Sequence, residues 1–324
     1  MLNTNLVFEQ PKRGIIMSIK IFTDAASNLF PSILKEKGSS ILVLPMAIDV
    51  GYTHFLCYED NIDVDEVSKS FYEKVEKGEK VHTSLANPGL FKEKAMEEIK
   101  EGNQVIFVTL ASGISGTYQS ACLMANEINE GEGKEVVKVI DSKTASFGEA
   151  MIALKAEELS KDGLSFEEVN NKTVEYVSKV RSEFTVGAIK YLVATGRVSG
   201  FAAAIGDVLA IKPLLYGSEE AKIVVTSKVP GRKAALKRLA NQVLDNIKDK
   251  NSLVYIAHAN ALEDVSFFKK ILKDGGINNI ETYYYDLVTG GHVGPGTIAV
   301  FYEGYNRDIH KKNVLTSILP KKKD

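Results

Sequence analysis

The chain has 324 residues, 44% hydrophobic and 25% charged, with a formal net charge of −2. That length fits two globular domains, and that composition fits a soluble chain able to bury real cores. The balanced charge argues against a global nucleic-acid footprint; two cysteines, Cys57 and Cys122, without CxxC spacing argue against a disulfide scaffold or zinc site and favour a reducing, cytoplasmic setting.

Residues 1–16 carry Glu9, Lys12 and Arg13 and no sustained apolar core, so they read as a disordered leader or a start-site extension, not a secretory signal. Ile19–Asp24 reads as a strand with a polar end, and Ile41–Ile48 as a second, with Pro45 marking an edge or a bulge. Val64, Val67, Phe71 and Val75 give the three-to-four spacing of an amphipathic helix over 64–77. His82, Thr83 and Ser84 follow. Asn87-Pro88 has the form of a helix cap with proline at the first helical position, and Gly102 closes that helix.

The apolar run Gln104–Leu110 leads through Ala111–Gly116 into a helix-like run from Thr117 to Ile128. A strand, a Ser/Gly loop and a helix start form a ready anion site, because the first helical N–H groups and the positive dipole end are free. The loop offers Ser112, Ser115 and Thr117 but no lysine, so an anion there meets neutral donors. Val136–Asp141 is a further strand and Ala145–Leu159 a further helix. Alternating strands and helices predict a parallel sheet with its site at the strand carboxyl ends, where Asp24, Thr83-Ser84, Ser115 and Asp141-Ser142 fall.

The second half has another rhythm: a helix over about 165–181, a strand over 184–189, then Tyr191–Val198 and an apolar helix. The apolar stretch 200–216 is broken by Asp207, Lys212 and Pro213, and reads as a buried helix and strand, not a membrane span. Ile211–Tyr216 and Lys222–Lys228 form a candidate hairpin; Arg232–Ile247 is a basic amphipathic helix; 253–257, 280–288 and 297–302 are strands. The expected organisation is α/β in two domains, a parallel α/β/α sandwich over 17–163 and a second α/β domain with a mixed sheet over 164–324, ending in a solvated lysine tail at 321–323.

Each candidate side chain has a plainer reading beside the functional one. Ser115 is an anion-binding hydroxyl, a nucleophile or a helix cap; Gly113-Ile-Ser-Gly-Thr117 has only the first glycine of the G-x-S-x-G elbow. Thr83-Ser84 is a site pair or a capping turn. His292 lies in a stretch with four glycines in seven residues, which calls for unusual backbone angles, a close ligand or a hairpin loop. Arg197 contacts a phosphate or a partner, or makes a surface salt bridge. Lys228, Arg232, Lys233, Lys237 and Arg238 form a solvated face or a docking face for an acidic partner. The five histidines show no metal-ligand spacing, so no metal is expected.

Taken in order, Thr23-Asp24, Leu44-Pro45, Thr83-Ser84, Ile114–Ser120, Ile140–Ser142, Gly196–Ser199, Ile211–Pro213 and His292–Gly296 resemble the DegV family, bacterial fatty-acid-binding proteins that serve a fatty acid kinase. The resemblance runs from about Ile19 to Tyr302. It implies a non-catalytic carrier that needs no cofactor and holds a long-chain, palmitate-like fatty acid between two domains. Thr83 and Ser115 would hold the carboxylate with His292 alongside, supported by Asp24, Ser84 and Gly116. The kinase would dock near Arg197 and Arg232 and phosphorylate the carboxylate, with room for a transient membrane encounter and none for nucleic acid. The chain departs from the family pattern at Ala25, Thr195 and Val293. The rival reading is a lipid ester or thioester hydrolase using Ser115, His292 and Asp24 as a triad.

Overall fold

The computed structural model of the chain describes residues 18–58, 64–198 and 210–307. The expected leader at 1–16, the apolar helix expected after Val198 and the lysine tail lie outside these residues.

Strands β1 (Ile19–Asp24), β2 (Leu42–Leu44), β6 (Gln104–Thr109) and β7 (Val137–Asp141) form a parallel sheet in the order β2-β1-β6-β7. Three strands between them make a separate antiparallel sheet in the order β4-β3-β5: β3 (Ala47–Val50), β4 (Thr53–Leu56) and β5 (Val81–Thr83). The single strand expected over 41–48 is therefore two. Pro45 falls at the break, since it cannot donate to a ladder, and the chain leaves the edge of one sheet to enter another.

Helices α1 (Pro31–Lys37), α2 (Val64–Glu76), α3 (Pro88–Lys100), α4 (Thr117–Glu132), α5 (Phe147–Lys161) and α6 (Phe166–Val177) complete this half. Asn87 caps α3 through its side chain, which accepts from Gly89 and Leu90 N–H, and Ser165 with Glu168 forms a capping box on α6. Helix α6 packs on α5 and β7, and its end at Val177 precedes a strand, β8 (Val180–Thr185), where a longer helix was expected.

Every residue of β8 is buried, including Arg181 and Glu183. The Arg181 guanidinium meets Glu183 Oε1 at 2.9 Å, and Tyr302 Oη donates to the same oxygen at 3.0 Å. Pairing is what lets two charges sit in a central strand. The mixed sheet runs β10-β9-β8-β13-β11-β12, with β9 (Ile211–Gly217), β10 (Ile223–Pro230), β11 (Val254–His258), β12 (Ile280–Tyr284) and β13 (Ile298–Glu303). Its pairs are antiparallel except β11 with β12, and β9–β10 is the expected hairpin. Helices α7 (Lys190–Ala194), α8 (Arg232–Asn246), α9 (Leu262–Asp274) and α10 (Leu287–Val293) belong to this half.

Helix α5 is buried nearly all round, because it packs on β1 and β6 on one side and on β8 and β13 on the other. Phe147, at its start, stacks on Tyr255 with ring centroids 4.5 Å apart. One hydrophobic core therefore runs through the seam between the sheets, and a second lies under α8 and α9 on the far face of the mixed sheet.

Candidate functional site

The Ser/Gly loop after β6 is held from below by two carboxylates. Asp24, at the end of β1, accepts from Leu110 N–H at 3.0 Å and from Ala26 N–H at 2.9 Å. Asp141, at the end of β7, accepts from Ser112 N–H at 3.0 Å and Ser112 Oγ at 2.5 Å. Ser112 is thus spent on the fold. Gly113 is required by proximity: a Cβ there would lie 2.4 Å from the Ala221 carbonyl of the β9–β10 turn. Ser115 accepts from Thr117 N–H at 3.2 Å and shares a hydrogen bond with Thr117 Oγ1 at 3.0 Å. It therefore both braces the start of α4 and faces the cavity beside Gly116.

Thr83 does not end a strand of the parallel sheet, as the strand-helix rhythm suggested. It ends β5 in the small antiparallel sheet. Ser84 staples that strand down: its N–H donates to the Ala47 carbonyl and its Oγ accepts from Ala47 N–H, both at 2.9 Å. Opposite stands α10, in place of the expected strand end and glycine loop. Gly290 and Gly291 are helical and small because Tyr72 and Val81 press against them: a Cβ would lie 1.8 Å from Tyr72 Oη and 2.6 Å from Val81 Cγ1. Gly294, with φ +78°, takes the positive φ that ends the helix.

His292 leaves α10 toward β5, and its Nε2 lies 2.8 Å from Thr83 Oγ1. Burial, then the Arg197 charge and His82, push its pKa down to about 4, so the ring is neutral near pH 7. Its Nδ1 is buried and has no partner among the described residues.

Behind this pair lies a polar network that the sequence did not announce. Asn28 Nδ2 donates to the Tyr284 carbonyl at 3.0 Å; its Oδ1 accepts from Ser146 Oγ at 2.8 Å and Asp286 N–H at 2.6 Å. Asp286 caps α10 by accepting from the Thr289 N–H and hydroxyl. Glu149 accepts from Thr23 Oγ1 at 2.8 Å. Burial raises Asp24 to about 6 and Asp286 to about 7, and raises Glu149 well above the usual carboxylate range. The Asp286 cap with Thr289 three residues on was a readable signal; Asn28 and Glu149 carried none.

Thr83, Ser84, Ser115, Gly116 and His292 line one cavity of ≈ 240 Å³, walled by Met46, Leu110, Phe184, Val288 and Phe301. Asp24 is not in its wall. Lys143, Lys222 and Arg197 also border it, so the cavity is not lined by neutral donors alone. A second cavity of ≈ 690 Å³ lies outside it and shares Thr83, Arg197 and His292 as a common wall. Arg232 lines neither; it donates to Asp264 Oδ2 at 2.7 Å and to the Gly296 carbonyl, bracing the turn after α10.

The triad geometry does not form among the described residues. His292 Nε2 faces Thr83, Ser115 Oγ faces Thr117, and both Asp24 oxygens accept backbone N–H groups.

The DegV family model, described as "Uncharacterised protein, DegV family", matches residues 18–304. This chain belongs to the DegV family. A DegV domain-containing protein of Clostridium perfringens is 31% identical over 89% of this chain and 98% of its own. A fatty acid binding DegV family protein of Streptococcus agalactiae superposes with TM-score 0.77 at 27% identity, over 90% of this chain and 100% of that one. The Streptococcus pneumoniae Fatty Acid Kinase (Fak) B3 protein loaded with linoleic acid shares the fold, with TM-score 0.72 at 21% identity over 89% of this chain and 99% of that one. Among the described residues no helix is long and apolar enough to cross a membrane, and no cluster of three or more His, Cys, Asp or Glu could hold a metal ion.

Proposed function

We propose that this DegV-family chain binds a long-chain fatty acid in the inner cavity and presents its carboxylate to a fatty acid kinase. The observation that carries the reading is the Thr83–His292 bond in the wall of a mostly apolar cavity that Lys143, Lys222 and Arg197 also border, with Ser115 among its lining residues. The fatty acid binding named for the S. agalactiae relative supports it.

The chemistry follows from proton placement. A neutral His292 that donates from Nε2 to Thr83 Oγ1 leaves the Thr83 hydroxyl proton free to point at an anion. Ser115 Oγ accepts from Thr117 N–H, and with Thr117 Oγ1 as the donor in the bond the two hydroxyls share, the Ser115 proton is available to a carboxylate oxygen. Burying about ten methylenes contributes roughly 8 kcal/mol before association costs, so the apolar wall supplies most of the affinity and the hydroxyls orient the head group. A carboxylate held by hydroxyls keeps more nucleophilic character than one locked to a guanidinium fork.

In this reading the chain is a non-catalytic cytoplasmic carrier, and the phosphoryl donor is a nucleotide on the kinase. The kinase role draws on the family resemblance and on the Fak B3 name of a protein of the same fold. Arg197, half-buried where it borders the cavity, is the docking candidate nearest the bound carboxylate; Arg232 acts through the turn it braces. Native mass spectrometry of the purified chain tests the reading. It should carry non-covalent fatty acid, and Arg197→Glu should lower acyl-phosphate output while lipid occupancy persists. A lipid-free chain, or a serine-reactive probe that labels Ser115, would overturn it.

A further inference from the structure

One polar group in the inner cavity is used neither by the fold nor by the head group. Ser182, in β8, is 8% exposed and lines that cavity, and its hydroxyl makes no hydrogen bond to any described residue. The polar residues next to it are engaged: Thr144 Oγ1 donates to the Ala145 carbonyl at 3.5 Å, and Lys143 Nζ lies 4.0 Å from Glu219 Oε2. Gly217, in the adjacent strand β9, gives the Ser182 hydroxyl its room, because a Cβ there would lie 2.6 Å from Ser182 Oγ. A hydroxyl left against hydrocarbon without a partner costs free energy, so this one calls for a polar atom on the ligand.

Strand register places that atom along the ligand. Side chains two residues apart share a face, so Ser182 and Phe184 both face the cavity, and Ser182 sits opposite Phe301. The turn after α10 abuts the far end of β8, where a Cβ on Gly187 would lie 2.3 Å from the Pro295 carbonyl. Ser182 stands three residues before Thr185, about 10 Å back from that end. It therefore meets the acyl chain and not the carboxylate beside Thr83 and His292. We propose that Ser182 is a subsite for a hydroxyl carried on the acyl chain, and that the cavity takes a hydroxylated long-chain fatty acid. The inference rests on the fatty-acid reading of the cavity. A serine hydroxyl both donates and accepts, so a chain hydroxyl and Ser182 satisfy each other, whereas a methylene leaves Ser182 unpaired.

The test uses the full chain with stearate and with stearates carrying one hydroxyl near the carboxyl group, at mid-chain or near the methyl end. Displacement of a fluorescent fatty acid gives each affinity for the wild-type chain and for Ser182→Ala, a variant that should melt as the wild type does because it removes no hydrogen bond between described residues. In the variant, affinity should fall about five- to tenfold for the mid-chain or methyl-end isomer, whichever carries its hydroxyl past Ser182. It should fall less than about twofold for stearate and for the near-carboxyl isomer. Gly217→Ala, whose Cβ would crowd the hydroxyl, should reproduce the selective loss. A loss shared equally by stearate and every isomer, a loss confined to the near-carboxyl isomer, or no loss for any isomer would overturn the proposal, as would a wild-type chain that binds stearate and no hydroxy acid. If the wild-type chain binds neither stearate nor any hydroxy acid, the fatty-acid reading itself has failed; if stearate binds and Ser182→Ala does not discriminate, only the subsite has.

Discussion

Two polar regions meet at α10, and they treat their hydrogen-bonding capacity in opposite ways. At the cavity, Thr83 and Ser115 each make few hydrogen bonds and line open space, and His292 keeps a buried Nδ1 with no partner among the described residues. Behind it, Asp24, Asn28 and Asp286 spend theirs on backbone amides, carbonyls and each other. Both regions are rich in the residues that sequence searches flag. Only the first points them at space. A polar residue consumed by the fold specifies geometry, and one left unconsumed beside a cavity is a candidate for a ligand.

The largest effect that separates the regions should come from Asn28→Ala. It strips partners from Ser146, Tyr284 and Asp286 at once, and urea unfolding should show a loss of about 3 kcal/mol. Thr83→Val should do the reverse. Fatty acid affinity should fall about tenfold or more by isothermal titration, while stability changes by no more than about 1 kcal/mol. Equal effects of the two variants on folding would erase the distinction.

Ser115→Ala sits between them, since this hydroxyl braces Thr117 and faces the cavity. Lipid occupancy by mass spectrometry should fall several-fold, with a stability cost of about 1 kcal/mol.

The pH responses sharpen the contrast further. Asp24 and Asp286 have folded pKa values of about 6 and about 7 against an ordinary 3.8, so the folded state holds more protons between. Their contribution to stability is present below about pH 4 and is lost as pH rises through about 7. Glu149 shifts the same way, driven by burial and by Asp24. Glu149→Gln should therefore raise the melting temperature by about 2 °C at pH 8, with a smaller change at pH 5. His292 has the opposite sign. Its depressed folded pKa of about 4 gives stability that is present above 6.5 and lost as pH falls. Because the ring stays neutral well below pH 7, fatty acid affinity should be nearly flat from about pH 6 to about pH 8, which a titration series would check.

Local chemistry was legible wherever one residue type dictated the backbone. Asn87-Pro88 capped α3, the hairpin read over 211–216 and 222–228 closed, running on to 230, and the Ser/Gly loop after β6 reached a helix start. Where packing outvoted local pattern, the reading slipped. Arg181 looked like the end of a helix over 165–181, yet it lies inside β8, paired with Glu183. Gly290 and Gly291 looked like loop residues, yet α10 holds them because Tyr72 and Val81 leave no room for a Cβ.

The sequence by itself pointed to the α/β class, to the DegV family and to Thr83, Ser115 and His292 as candidate site residues. Periodicity, capping and motif order are local properties, written in residues close along the chain. Tertiary structure alone decided that Thr83 belongs to a small antiparallel sheet and that His292 reaches it from 209 residues away. It also left Asp24 out of the cavity and Arg232 engaged with Asp264. Those outcomes depend on which faces the seam around α5 brings together, and burial across a seam is a property of the packed molecule, not of any stretch of its chain.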